Sequence, residues 1–142
     1  MDTQRQGAGI RLPEGAWWDW DVIAWQAAEL RLAAGYDLTY HHGLELVFSD
    51  PMLVSCPAQF HDPAFRAPTN EEFVQVARQI GEVPPVVVAF EADAGGLEPV
   101  SCLISAARVE IVRESVLWYW RDDAAPGQRF ATWVRPPESQ AD

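Results

Sequence analysis

The residues with the sharpest chemical profile form a short run of aromatics and acids, Trp17-Trp18-Asp19-Trp20-Asp21. Indole faces beside carboxylates suit three tasks. They can stack on a sugar while the acids take its hydroxyls, hold a cation by charge and ring quadrupole, or grip an arginine-rich protein surface. The plainer alternative is alternation along an extended segment, with Trp18 and Trp20 packed inward and Asp19 and Asp21 in water. A second group, Trp118-Tyr119-Trp120, places two indoles on one face of a strand and the tyrosine on the other. Trp17, Asp19, Asp21, Trp118, Tyr119 and Trp120 are therefore the candidate binding residues. The seven tryptophans cluster towards the two ends of the chain, which predicts that the N-terminal segment lies against the C-terminal strands in one shared core.

A metal site could draw on His41, His42, His61 and Asp62, because imidazole and carboxylate are common ligands. Adjacent histidines on a regular strand point to opposite faces, however, and no H-x-x-x-H or H-E-x-x-H spacing occurs. Turn and loop histidines are the default reading. Nucleophilic catalysis needs Ser or Cys beside a His that an acid orients, and no G-x-S-x-G elbow is present. Neither G-x-G-x-x-G nor a Walker pattern is found, so a nucleotide enzyme is a poor expectation. No cofactor is expected.

Composition narrows the partners. The chain has 142 residues, 49% of them hydrophobic, enough to build one domain with its own core. The expected organisation is a flexible arm over 1–15, a globular body over 16–135 and a flexible tail over 136–142. The net charge is −11, and every basic residue is arginine, a bias that fits a GC-rich bacterial genome. An acidic surface repels phosphate backbones, so nucleic acid and anionic membrane are disfavoured and a basic protein surface is favoured. The two cysteines, Cys56 and Cys102, form no C-x-x-C pattern and read as small buried residues. No apolar stretch of signal-peptide or membrane-spanning length occurs, and the expected location is cytoplasmic.

Positioning any of these groups requires a scaffold. Thr69 with Glu72 makes a capping box, Gly81 a left-handed stop and Pro84-Pro85 a barrier, which predicts a helix over Asn70–Ile80. Its apolar stripe is Phe73, Val74, Ala77 and Ile80. Strands are expected over Tyr36–Tyr40, Leu44–Phe48, Met52–Cys56, Val86–Phe90, Val100–Ser105, Arg108–Val112, Val116–Arg121 and Arg129–Val134. Turns are expected at His41-His42-Gly43 and Arg113-Glu114-Ser115. Residues 21–34 have both helical spacing and strand alternation; the strand over Ala28–Ala33 is preferred because its neighbours alternate. The fold class is α+β, a mainly antiparallel, twisted or half-barrel sheet of about seven or eight strands with one helix near 70–80.

The function these features favour is an acidic, non-catalytic protein-interaction domain, analogous in charge and size to immunity proteins and antitoxins that neutralise a basic partner. The alternative is a small-ligand-binding curled sheet or small hydrolase using its histidines and aromatics. That alternative requires a deep pocket of several hundred cubic ångströms lined by Trp or Tyr with a few polar groups, at the mouth of the curled sheet that carries His41 and His42.

Overall fold

The computed structural model of the chain describes residues 9–137; the outer parts of the expected arm and tail lie outside the described residues. Seven strands and one helix follow in the order β1 (Asp19–Gln26), β2 (Glu29–Gly35), β3 (His41–Ser55), β4 (Gln59–Arg66), α1 (Asn70–Ile80), β5 (Val86–Asp93), β6 (Val100–Leu117) and β7 (Gln128–Phe130). Two antiparallel meanders, β1–β2–β3 and β4–β5–β6, lie side by side. They are joined by β1 with β4 at one seam and by β3 with β6 at the other. Six strands therefore close into an antiparallel barrel. The twisted antiparallel sheet with one helix agrees with the sequence reading, but the sheet closes fully and does not stop as a half-barrel.

Closure follows from strand length. At 15 and 18 residues, β3 and β6 are long enough to serve two neighbours each. The first half of β3 pairs with β2 on one side and β6 on the other, while its second half continues along β6 alone. The first residues of β6 pair with β5. Sequence alternation had divided β6 into three strands with a turn at Arg113-Glu114-Ser115. The polar triplet is instead absorbed by a slip in the ladder, where His42 faces Val116 but Leu44 faces Arg113.

Other differences have local causes. Tyr36 to Tyr40 is a turn, not a strand: the Asp37 carboxylate accepts the Thr39 N–H at 2.9 Å, a side-chain mimic of a backbone turn. His41-His42-Gly43 opens β3 and does not form the hairpin turn. The ambiguous 21–34 segment is a hairpin, β1 and β2 linked through Ala27 and Ala28. The last strand shrinks to three residues, and it runs parallel to β6 from Ser115 to Leu117.

The interior is packed with side chains. Alternate residues point inward: Trp20 from β1, Leu30, Leu32 and Ala34 from β2, Leu44, Leu46 and Phe48 from β3, and Phe60 from β4. Val86, Val88 and Phe90 of β5 meet Cys102 and Ile104 of β6. Trp20, Phe60, Phe65 and Phe90 form a continuous aromatic chain with centroids 4.9–5.8 Å apart. Ile10 is buried in the same core with Leu12 against it, so the inner end of the N-terminal segment is anchored. Among the described residues the barrel lumen is thus filled by side chains and is not hollow.

α1 lies against β3 outside the barrel. Its capping box is complete, with the Thr69 hydroxyl accepting the Glu72 N–H and Glu72 accepting the Thr69 N–H. Gly81 closes it at φ 80°, a left-handed conformation that side chains with a Cβ resist. The expected apolar stripe needs correction: Val76 is the fully buried residue, whereas Val74 is exposed and Phe73 and Ile80 are half-buried. Arg66 fastens the helix to the barrel, forking onto both oxygens of Glu72 and both of Glu91 at 2.7–2.9 Å.

These placements separate core from surface quantitatively. Leu46→Ala should destabilise by about 2–5 kcal/mol because it empties the lumen, and Val74→Ala should change stability by less than about 0.5 kcal/mol. Urea unfolding followed by tryptophan fluorescence measures both; a neutral Leu46→Ala would mean that the lumen is not the core.

Candidate functional site

The slip between β3 and β6 brings an unusual pair together. On a regular strand His42 and Glu45 would point to opposite faces. Here they share one outward face, with His42 Nε2 2.7 Å from Glu45 Oε2, and both side chains are almost wholly buried. Arg31 of β2 reaches Glu45 Oε1 at 2.6 Å, and Arg129 of β7 reaches Glu45 Oε2 at 2.8 Å. Each arginine also holds a second acid, Arg31 to Glu29 and Arg129 to Glu114, both at 2.7 Å. Burial alone would raise the Glu45 carboxyl. The hydrogen bonds from His42 and Arg31, with the charge of Arg129, outweigh it and hold the carboxyl down at about 2.

Trp118 fixes the proton on His42. An indole N–H can only donate, and it points at His42 Nδ1 from 2.7 Å. Nδ1 therefore accepts, the ring proton sits on Nε2, and Nε2 donates to Glu45. Both nitrogens are engaged, so neither is available to take a proton from a nucleophile. That argues against His42 as a general base.

Two recesses border this pair, one lined by His42 and the other by Trp118. The first, about 490 Å³, has His42 and Glu45 at its floor, the Ile23–Arg31 hairpin residues on one side and Glu114, Arg129 and Trp133 on the other. The second, about 410 Å³, is lined by Asp19, Asp21, His61 and Asp93 together with Trp20, Trp118 and the Leu38-Thr39 turn. Asp19 is held in place there: Oδ2 accepts the Leu38 N–H at 3.0 Å, and Oδ1 lies 3.3 Å from His61 Nε2. Asp21 is raised above its ordinary carboxyl value, mainly by burial and further by the charge of Asp19, against a hydrogen bond from Gln59. Two carboxylates on either side of a buried tryptophan, in a recess with one indole wall, can receive a positive charge.

The expected binding residues divide between places. Asp19, Asp21 and Trp118 meet around the second recess, together with His61. Tyr119 and Trp120 follow Trp118 beyond the end of β6 and are exposed. Tyr119 meets the ring of Tyr40 edge-on at 6.1 Å, and Trp120 stacks on Phe130 at 4.5 Å while donating to Asp122. Trp17 lies elsewhere, half-buried over the β3–β6 seam, donating to the Pro13 carbonyl, with the Arg113 guanidinium 5.8 Å from its ring. A Cβ on Gly43 would stand 3.1 Å from that ring, so the glycine permits the approach. Trp18 is surface rather than core, its ring 5.0 Å from His61. The tryptophans thus form no single core: Trp20 is in the lumen, Trp118 and Trp133 flank the His42 network, and Trp25 is exposed at its hairpin.

The four candidate metal ligands are dispersed. His42 is buried, His41 opens β3 on the surface, His61 pairs with Asp19, and Asp62 is an exposed residue at φ 48°. Among the described residues no three His, Cys, Asp or Glu side chains converge as a metal site requires. Sequence reasoning missed Glu45, Arg31 and Arg129. Alternation with Leu44 and Leu46 put Glu45 on the outer face, correctly, but nothing local signals that the segment after β6 returns to cover that face. Compared with protein-family models, curated proteins and solved structures, the chain matches none.

Two outcomes follow from the buried network. Glu45→Ala leaves Arg31, Arg129 and His42 facing one another without their carboxylate and should destabilise by about 3–5 kcal/mol in urea unfolding. A loss under 1 kcal/mol would mean that water replaces the carboxylate readily. In acid, Glu45 and the Arg66-bound Glu72 are both held at about 2, below their ordinary value of 4.5. A depressed carboxyl stabilises the fold above its unfolded value, and that stabilisation is lost as protons bind on the way down to the folded value. The urea midpoint should therefore fall between pH 4.5 and 2, and Glu45→Gln should flatten that decline.

Proposed function

We propose that this protein is a non-catalytic binding protein that recognises a basic surface on a protein partner, in the manner of an immunity protein or antitoxin. The observation that carries the proposal is the second recess. Asp19, Asp21 and Asp93 line a space large enough for an arginine or lysine side chain, with Trp118 as a wall. Exposed Tyr40, Tyr119 and Trp120 lie beyond it, where the chain leaves β6. Aromatic anchors around a charge-receiving pocket are the usual composition of an interface hot spot. A net charge of −11 adds long-range attraction for a basic partner and repulsion of nucleic acid.

Against an enzymatic reading stand the packed lumen and the two occupied nitrogens of His42. No helix among the described residues is long and apolar enough to cross a membrane. The free thiols of Cys56 and Cys102 suit a reducing compartment, and the cytoplasm is the location this proposal adopts. A GC-rich bacterium remains the proposed source.

The test is affinity purification from extracts of the native cell, with the wild-type chain and two variants as bait. The expected partner is basic, is released as salt rises and is lost with the double substitution Asp19→Asn, Asp21→Asn. Trp120→Ala should weaken binding to the purified partner by about 30-fold, the scale of a hot-spot aromatic. Failure to retain any partner at low salt, or a partner indifferent to all three substitutions, would overturn the proposal.

A further inference from the structure

Cys56 and Cys102 are 46 positions apart in sequence, yet the strand register makes them neighbours. Along the second half of the β3–β6 seam, Leu53 faces Ser105, Val54 faces Ile104 and Ser55 faces Leu103. The ladder ends at Ser55, and continuing the same register by one residue would set Cys56 across from Cys102. Direction agrees with register: Ile104 and Cys102 belong to the barrel core, and Val54 and Cys56 pack against it from the opposing strand. Directly opposed residues of an antiparallel pair have Cα atoms about 4.5–5.5 Å apart, inside the roughly 4.4–6.8 Å range that a disulfide spans. Both thiols are free in this structure.

We infer that Cys56 and Cys102 are a cross-strand dithiol that closes to a disulfide, making the β3–β6 seam a redox-modifiable site whose co-reactant is a low-molecular-weight disulfide. The half-buried Cys56 is the entry point, and Cys102 is wholly buried. Cys56, as thiolate, attacks one sulfur of the small disulfide, forming a mixed disulfide and expelling one small thiolate. Cys102, as thiolate, then attacks the Cys56 sulfur and expels the second. The two protons that the cysteines lose are taken up by the two departing thiolates. The protein is oxidised by two electrons and the small disulfide is reduced to two thiols.

Burial pushes both thiols up to about 11, and proximity to Cys56 contributes to the shift at Cys102. Few thiolates exist at neutral pH, so the pair closes slowly and resists casual oxidation. Once formed, the bond would hold the last residue before Pro57 to the barrel. That position matters because the adjacent Ala58 carbonyl accepts the Val22 N–H at 2.8 Å, a link between the two meanders.

The experiment equilibrates the full chain with reduced and oxidised glutathione, with and without denaturing urea. The fraction of intramolecular disulfide is read from intact mass and thiol titration. If the fold holds the two sulfurs together, the equilibrium constant for closing the bond should be at least about 100-fold larger in the native chain than in urea. The oxidised native form should also melt higher by about 10 °C. Cys56→Ser and Cys102→Ser should yield no intramolecular bond. A native equilibrium constant equal to or below that in urea would overturn the inference, as would exclusive accumulation of mixed disulfides with glutathione. The native arm is started both from the reduced chain and from chain oxidised in urea and refolded, so that agreement from both directions shows equilibrium and slow closure is not read as a low constant.

Discussion

Closing a sheet in so short a chain requires two strands that pair beyond the reach of their own hairpins. β3 and β6 meet that demand. Their backbone ladder ties the two meanders together, removes the free edges an open sheet would present and encloses the apolar faces of all six barrel strands. The two irregularities in the ladder are where the structure gains its special features. At one end the slip beside Gly43 admits Trp17 over the seam and turns His42 towards Glu45. At the other, Asp50 takes φ 50° and Pro51 follows it, and the register shift beyond brings Val54 opposite Ile104. A perfectly regular seam would close the barrel and produce neither arrangement.

A layered distribution of charge results. The lumen is apolar and aromatic, as expected for side chains that cannot be hydrated. The outer face of β2 and β3 would normally be wet, but the chain after β6 folds back over it and buries a carboxylate. A buried ion costs desolvation, and only a dense set of donors offsets that cost. Glu45 has such a set, in His42, Arg31 and Arg129. The arginines are themselves balanced by Glu29 and Glu114, so the network grades from a dry centre to a solvated rim. The second recess differs: its aspartates are less fully compensated, and that contrast underlies the proposal that a cationic side chain enters there and not at the Glu45 site.

Much of this was legible in the sequence, for reasons that differ by element. α1 is marked by Thr69, Glu72, Gly81 and Pro84, all local signals whose chemistry acts within one turn. The lumen residues Leu44, Leu46 and Phe48, and Val86, Val88 and Phe90, follow from alternation or from a β-branched run. What could not be read was non-local. Strand alternation cannot distinguish a bulge from a turn, so Glu114 and Ser115 looked like a chain reversal. Aromatic composition identified Trp118 without revealing that its N–H would be spent on His42. Asp19 and Asp21 were recognisable as candidates because they flank tryptophans, but their meeting with Asp93 depends on the β1–β4–β5 register. Cys56 and Cys102 read as small buried residues in strands, which holds for Cys102 in β6, whereas Cys56 is half-buried just beyond β3, and only the register of the seam brings the two into relation.

The segment after Leu117 looks peripheral by secondary structure, with three residues of strand and little else. Yet it supplies both Arg129 and Trp118 to the buried network. A barrel ending at Leu117 would have its six-stranded ladder intact and still be electrically incomplete. Glu45 would keep Arg31 and His42 but lose one cation, and His42 would lose the donor that decides which nitrogen bears its proton. Geometric closure and charge closure therefore occur at different points along this chain. A boundary drawn from the six barrel strands alone would cut between them.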